Sequence, residues 1–98
     1  MQPEARLVKR IIDYLKGRGC YVMKIHGGDN PFQAAGLLDI YCCYRGWFIG
    51  IEAKTPVGGL SKLQEKTLRD IEAAGGCAAV VTSVEEVTSL LSKLERER

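Results

Sequence analysis

The chain has 98 residues, of which 46% are hydrophobic and 27% charged, with a net charge of +2. This composition excludes a disordered chain and fits one folded domain, residues 1–98, with a modest core. No apolar run approaches the roughly 20 residues of a membrane helix, and the charged N-terminus lacks the apolar stretch of a signal peptide. We therefore expect a cytoplasmic protein with no membrane partner.

The first half of the sequence predicts a helix and three strands. Apolar residues recur at helical spacing from residue 3 to 15, and the glycines at positions 17 and 19 end that helix. Strands are predicted at 20–25, 37–44 and 47–53, with a turn-rich loop before the second. Only Arg45-Gly46 separates the last two strands, which predicts an antiparallel hairpin.

The second half adds a helix over 61–74, a short apolar strand over 77–82 and a last helix opened by Ser83. We expect the terminal ERER to be frayed. The order α-β-β-β-α-β-α predicts an α/β fold in which helices flank a small mixed β-sheet.

The four cysteines, Cys20, Cys42, Cys43 and Cys77, show no C-x-x-C spacing. With a single histidine in the chain, a structural zinc site is poorly supported. We interpret them as reduced cysteines that act mostly as small hydrophobic residues of the core. The alternative, a small redox domain using the adjacent Cys42 and Cys43, predicts an activity that alkylation abolishes.

Two short stretches carry the chemistry, Asp39 near the start of the second strand and Glu52-Ala53-Lys54 at the end of the third. A hairpin brings these ends together, and residues two apart share a face of the sheet. Paired carboxylates raise each other's pKa unless a cation intervenes, which favours a Mg²⁺-type ion with oxygen ligands. The Ala53 backbone carbonyl is a further candidate ligand. The alternative is an ion pair of a carboxylate with Lys54 at a sheet edge.

These residues resemble the virus-type replication-repair nuclease (VRR-NUC) domain of the PD-(D/E)xK nuclease superfamily. The resemblance rests on 36–40 (GLLDI) and 51–64 (IEAKTPVGGLSKLQ), supported by 74–76 and 79–81. It implies a restriction-endonuclease-like fold and an endodeoxyribonuclease that uses Mg²⁺ or Mn²⁺ and no organic cofactor. Leu38 replaces the proline usual before the aspartate in this family, and we expect little effect because that side chain binds no metal.

The resemblance also assigns roles to individual residues. It makes Asp39 and Glu52 metal ligands and Lys54 the catalytic lysine, with Gln64 and Glu4 as auxiliary catalytic residues. Gln64 has a second interpretation, since it lies three residues after Ser61 and would complete a capping box. Glu4 would equally suit the positive end of the helix dipole.

The DNA-contact candidates are Lys24, His26 and Lys62, although each also fits an ordinary surface or loop residue. Further basic candidates are Lys9, Arg10, Lys16, Arg18 and Lys66, and a solvated helix surface explains most of the basic candidates equally well.

Short members of this family are similar to phage- or bacterium-encoded homodimers that cleave four-way (Holliday) junctions. The predicted partners are therefore branched DNA and a second copy of the chain, with Phe32, Trp47 and Phe48 as interface candidates; burial in the monomer core is the alternative for the last two. Two other functions stay open: a flap-type nuclease, and a non-catalytic nucleic-acid-binding or interaction domain that retains the fold.

Overall fold

A computed structural model describes residues 3–25, 35–56 and 58–97, and it has the predicted order of elements. The bounds are α1 Pro3–Gly17, β1 Tyr21–Lys24, β2 Ile40–Tyr44, β3 Trp47–Ala53, α2 Lys62–Ala73, β4 Cys77–Val81 and α3 Val84–Glu97. The predicted α/β class with a small mixed sheet is therefore confirmed. No helix in these three ranges is long and apolar enough to span a bilayer.

The four strands form one sheet in chain order. β2 pairs antiparallel with β1 and with β3, whereas β4 pairs parallel with β3. The predicted hairpin turn consists of Arg45 and Gly46, which both have positive φ, 51° and 86°. Positive φ at both central residues defines a type I′ turn, whose twist matches that of the flanking strands. The parallel pair needs a crossover between its strands, and α2 supplies it.

The two faces of the sheet are covered unequally. One face packs on α1 and α3, and this is where the main core lies. Its buried members include Ile11, Leu15, Ile40, Ile49, Ile51, Val81, Val87 and Leu91. The other face receives only α2 among the described helices, close to Gly50. A Cβ at Gly50 would stand 2.8 Å from both the Ile71 and the Leu38 side chains, so the glycine permits this approach.

The end of α1 lies two residues later than the sequence predicted. Gly17 is still helical, and Gly19, with φ of 83°, ends the helix. The Gly19 amide donates to the Lys16 carbonyl at 3.1 Å and the Cys20 amide to the Leu15 carbonyl at 3.0 Å. These two bonds form a Schellman motif, which needs its left-handed residue at Gly19 and not at Gly17.

The expectation of a frayed C-terminal tail was wrong as far as Glu97, which is still helical. Glu95 accepts hydrogen bonds from the Tyr44 hydroxyl and, at 2.6 Å, from Arg18. Arg18 also donates to Tyr14 at 2.6 Å. This network joins α1, β2 and α3 at the hairpin end of the sheet, so tertiary contacts hold the last turn of α3 in place. The hydrogen bond from Tyr44 lowers the pKa of Glu95.

The four cysteines are free thiols, as expected. Cys20 and Cys42 are buried, and Cys43 faces the opposite side of the sheet and is exposed. Burial is the main cause that raises the pKa of Cys42 to about 12. A thiol with such a raised pKa carries little thiolate at neutral pH, which argues against the redox alternative.

Candidate metal-binding active site

The β2–β3 hairpin places Asp39 beside Glu52, because the last residues of the ladder, Ile40 and Ile51, are direct partners. Two reciprocal bonds join the neighbouring residues. The Asp39 amide donates to Glu52 Oε1 at 3.0 Å, and the Ala53 amide donates to Asp39 Oδ2 at 2.9 Å. Each carboxylate is thereby oriented by the backbone of the opposite segment. One oxygen of each group remains for another partner.

Glu52 is the single buried charged residue among those the structure describes, with a relative exposure of 2%. Its Oε2 atom lies 3.2 Å from Lys54 Nζ and accepts a hydrogen bond from Gln64 Nε2 at 3.0 Å. Burial is the first cause that raises the pKa of Glu52, and the negative charge of Asp39 is the second. Lys54 acts in the opposite direction. The lysine therefore offsets only part of the cost of a buried charge at this position.

Glu4, in the first turn of α1, completes an acidic cluster with Asp39 and Glu52. One carboxylate oxygen from each residue lies within 4.8 Å of the others. Three carboxylates face one ammonium group here, so the cluster carries excess negative charge if all are ionised. Such a set of oxygen donors, partly withdrawn from water, is the chemistry that hard divalent cations require. The donor set therefore fits a Mg²⁺- or Mn²⁺-type ion.

The Gln64 side chain makes contacts in two directions. Its Oε1 atom accepts from the Ser61 amide at 3.2 Å while the Ser61 hydroxyl accepts from the Gln64 amide, so the capping box is present. Its Nε2 atom points the other way and donates to Glu52, with a longer contact of 3.4 Å to the Leu37 carbonyl. One side chain therefore fixes the start of α2 relative to the acidic cluster.

The DNA-contact candidates are less well defined. Lys24 is exposed at the end of β1, where the next residue, Ile25, donates its amide to the Asp39 carbonyl at 2.9 Å. Lys62 is exposed at the start of α2. Lys24 thus precedes a residue that bonds Asp39, and Lys62 lies two residues before Gln64, which donates to Glu52. His26 lies outside the described residues.

Other basic candidates are engaged elsewhere. Lys9 pairs with Asp13 and Lys66 with Asp70, each four residues along its own helix. Arg18 belongs to the network with Glu95 at the opposite end of the sheet. The structure therefore does not bring Arg18 to the cluster.

Two polar residues beside the cluster were missed by the sequence interpretation. The Tyr41 hydroxyl accepts from the Leu38 amide at 3.2 Å, and the Thr67 hydroxyl donates to the Gly36 carbonyl at 2.7 Å. A signal for Tyr41 was present, since it lies two residues after Asp39 and so shares its face of the strand. Thr67 gave a weaker signal as a polar residue on the apolar stripe of α2, three residues after Gln64.

The structure thus combines a mixed four-stranded sheet and three helices with a pair of carboxylates at one end of the hairpin. The chain is similar to a structure described as a VRR_NUC domain, with a TM-score of 0.74 and 20% sequence identity over 94% of this chain and 97% of that one. The resemblance predicted from the sequence is thereby confirmed at the level of the fold. No sequence model of a protein family matches the chain, and no curated protein does.

Proposed function

We propose that the chain is a metal-dependent, structure-specific DNA endonuclease that hydrolyses phosphodiester bonds in four-way junctions as a homodimer. The observation that carries the proposal is the cluster of Glu4, Asp39 and Glu52, with the Lys54 ammonium 3.2 Å from Glu52. The nuclease fold, which the similar VRR_NUC domain shares, supports it.

In this proposal Asp39 and Glu52 hold the divalent cation, with the Ala53 carbonyl as a further ligand and Glu4 close by. When bound, the ion supplies an activated water and charge neutralisation at the scissile phosphate. Glu52 is oriented for this by the Asp39 amide and Gln64. Lys54 holds the attacking water or donates to the phosphate oxygen that gains negative charge. Its ion pair with Glu52 fixes the ammonium on the same face as the ligands.

The substrate proposal rests on what the chain offers for DNA contact. The exposed Lys24 and Lys62 would contact the phosphate backbone, with His26 as a further candidate. Backbone contacts carry no sequence information by themselves. We therefore infer recognition of DNA shape, for which a branched duplex is the expected substrate.

The homodimer proposal rests on the part of the sheet that α2 leaves bare. This open face consists of Tyr21, Met23, Tyr41, Cys43 and Phe48, which the register places on one side. Tyr21 is 74% exposed, Met23 51% and Phe48 50%. Burial of Phe48 in the monomer core, the alternative interpretation, was therefore wrong. Trp47 is half-buried on the opposite face, and Phe32 lies outside the described residues.

Aromatic residues and methionine are typical of interface cores, whereas none of these five side chains is a basic group that would attract a polyanion. A second copy related by a twofold axis would present the same surface and cover it. Sedimentation equilibrium tests this. Phe48→Ser is expected to shift the protein to monomer, and Leu63→Ser, at a comparably exposed leucine on α2 (53%), is the matched control. A monomeric wild-type protein would contradict the proposal.

The function is tested by incubating labelled four-way junction, flap and linear duplex DNA with Mg²⁺, Mn²⁺ or EDTA. We expect metal-dependent, paired cuts in the junction that disappear in Lys54→Ala. Cleavage of the flap alone would indicate that the substrate is a flap and not a four-way junction. Tight DNA binding without cleavage of any substrate would indicate a non-catalytic binding domain.

A further inference from the structure

The segment that leads into Asp39, residues 36–39, is held by side chains. The predicted strand 37–44 was wrong at this end, since β2 begins at Ile40. Each of the four residues has instead one backbone group bonded to a side chain. The bonds are Thr67 Oγ1 to the Gly36 carbonyl, Gln64 Nε2 to the Leu37 carbonyl, the Leu38 amide to the Tyr41 hydroxyl and the Asp39 amide to Glu52.

These bonds matter because the segment is packed tightly. Leu38 is 1% exposed, and a buried amide without a partner is costly. Gly36 has φ of 83°, and a Cβ there would stand 2.9 Å from the Leu63 carbonyl oxygen on α2. The backbone of the segment therefore lies directly against α2, and its path is set by the groups that bond it there.

We propose that Tyr41 and Thr67 are positioning residues that set the metal-binding geometry of Asp39. This inference rests on the proposed function. The Asp39 side chain is short and has two torsions, so the position of its carboxylate follows that of the Asp39 backbone. Thr67 anchors the backbone three residues before Asp39, and Tyr41 anchors the amide of the preceding residue, Leu38. Loss of either anchor lets the segment shift while Glu52, on the other strand, stays in place.

The Tyr41 anchor depends on the residue that departs from the family pattern. A proline at position 38 has no amide hydrogen to donate, whereas Leu38 supplies the one that the Tyr41 hydroxyl accepts. The replacement therefore bears on the backbone amide at position 38 as well as on the side chain. The Leu38 side chain also lies beside Gly50, where Ile71 of α2 approaches, so the leucine contributes both a donor and an apolar side chain.

Substitutions can remove each hydroxyl and keep the shape of the side chain, and the one other bond lost is that of the Thr67 hydroxyl to the Leu63 carbonyl within α2, at 3.0 Å. The Tyr41 ring stacks on Phe48, with centroids 5.6 Å apart, and Tyr41→Phe keeps that contact. Thr67→Val keeps the branched shape of the side chain, and Thr67→Ser restores the hydroxyl. Tyr44→Phe is the matched control, because it removes a phenolic hydroxyl from the same strand at the end far from Asp39.

The experiment measures Mn²⁺ affinity by titration calorimetry and amide hydrogen exchange of the metal-free protein by NMR. We expect Tyr41→Phe and Thr67→Val each to weaken Mn²⁺ binding by about tenfold, the lower end for groups that orient metal ligands. Exchange at Leu38 should accelerate in Tyr41→Phe, and Thr67→Ser should recover most of the wild-type affinity. Tyr44→Phe should bind Mn²⁺ as the wild type does.

The Mn²⁺ titrations distinguish the positioning role from the proposed function. Suppose that the wild-type protein binds Mn²⁺ and that both variants, Tyr41→Phe and Thr67→Val, bind it equally well. The positioning role is then refuted while the proposed function stands. If Tyr44→Phe weakens binding as much as Tyr41→Phe, the effect is general destabilisation and the positioning role is again refuted. Wild-type protein that binds no Mn²⁺ would overturn the proposed function and this inference with it.

Discussion

The replacement of Asp39 by asparagine separates the stability of the metal-free protein from its function. Asparagine keeps an oxygen that can accept from the Ala53 amide, as Asp39 Oδ2 does at 2.9 Å. Its amide group then faces the carboxylates of Glu4 and Glu52, where a donor is favourable. The substitution therefore removes one negative charge from the cluster and preserves the local hydrogen bond.

The size of the stabilisation follows from the separation of the carboxylates, since one oxygen of each lies within 4.8 Å of the others. At an effective dielectric constant of about 20, two unit charges at that distance repel by roughly 3.5 kcal/mol. Attraction of Asp39 to the nearby Lys54 opposes this, and Asp39 is only partly buried, so solvent screens both interactions. We expect Asp39→Asn to stabilise the metal-free protein by about 1 kcal/mol, or roughly 4–8 °C in Tm for a domain of this size.

The assay is thermal unfolding in EDTA and in excess Mn²⁺, for wild type and Asp39→Asn. In EDTA the variant should melt at the higher temperature. In Mn²⁺ the order should reverse, because only the wild type gains binding free energy from the ion. Cleavage by the variant should be abolished, and the pKa of Glu52 should be lower than in the wild type, since the Asp39 charge is one cause of its rise. A variant that is less stable than wild type in EDTA would refute the electrostatic argument.

Three further outcomes are expected. Lys54→Met should lower the cleavage rate at least about 100-fold while Mn²⁺ binding persists, as calorimetry would show; lost binding would make Lys54 a structural residue. Because the folded-state pKa of Glu52 is raised, the folded protein holds the extra proton, so stability in EDTA should fall as pH rises from about 4.5 through that raised value. The Tm values of wild type and Glu52→Gln should diverge over this pH range. Parallel curves of Tm against pH would contradict the raised pKa of Glu52 as the cause. Tyr44→Phe loses the hydrogen bond to Glu95 and should lower the free energy of unfolding by about 1 kcal/mol. The resulting fall in Tm should be equal with and without Mn²⁺.

Much of the fold was predictable because its local signals agree with one another. Apolar stripes of period 3.6 marked the three helices, and the two-residue turn at Arg45-Gly46 fixed the register of β2 on β3. That register alone places Asp39 next to Glu52 and Lys54 on the face of Glu52. The pair of carboxylates could therefore be located from the sequence without knowledge of the rest of the fold.

The errors arose where long-range contacts override local pattern. Residues 37–39 were predicted as strand from their composition, yet side chains from α2, β2 and β3 bond their backbone outside the sheet. The charged C-terminal tail was expected to fray, but Glu95 meets Arg18, 77 residues earlier in the chain. A local window contains neither partner.

The sequence by itself determined the order of elements, the hairpin and the carboxylates at its end, because periodicity and turn chemistry act over a few neighbouring residues. Only the tertiary structure decided that Glu4 reaches the cluster from α1, that Gln64 bonds Glu52 as well as capping α2, and that Tyr41 and Thr67 hold the segment before Asp39. It also decided which part of the sheet the three described helices leave uncovered. These contacts join residues distant in sequence, and their distances depend on how helices pack on a twisted sheet, which no local pattern encodes.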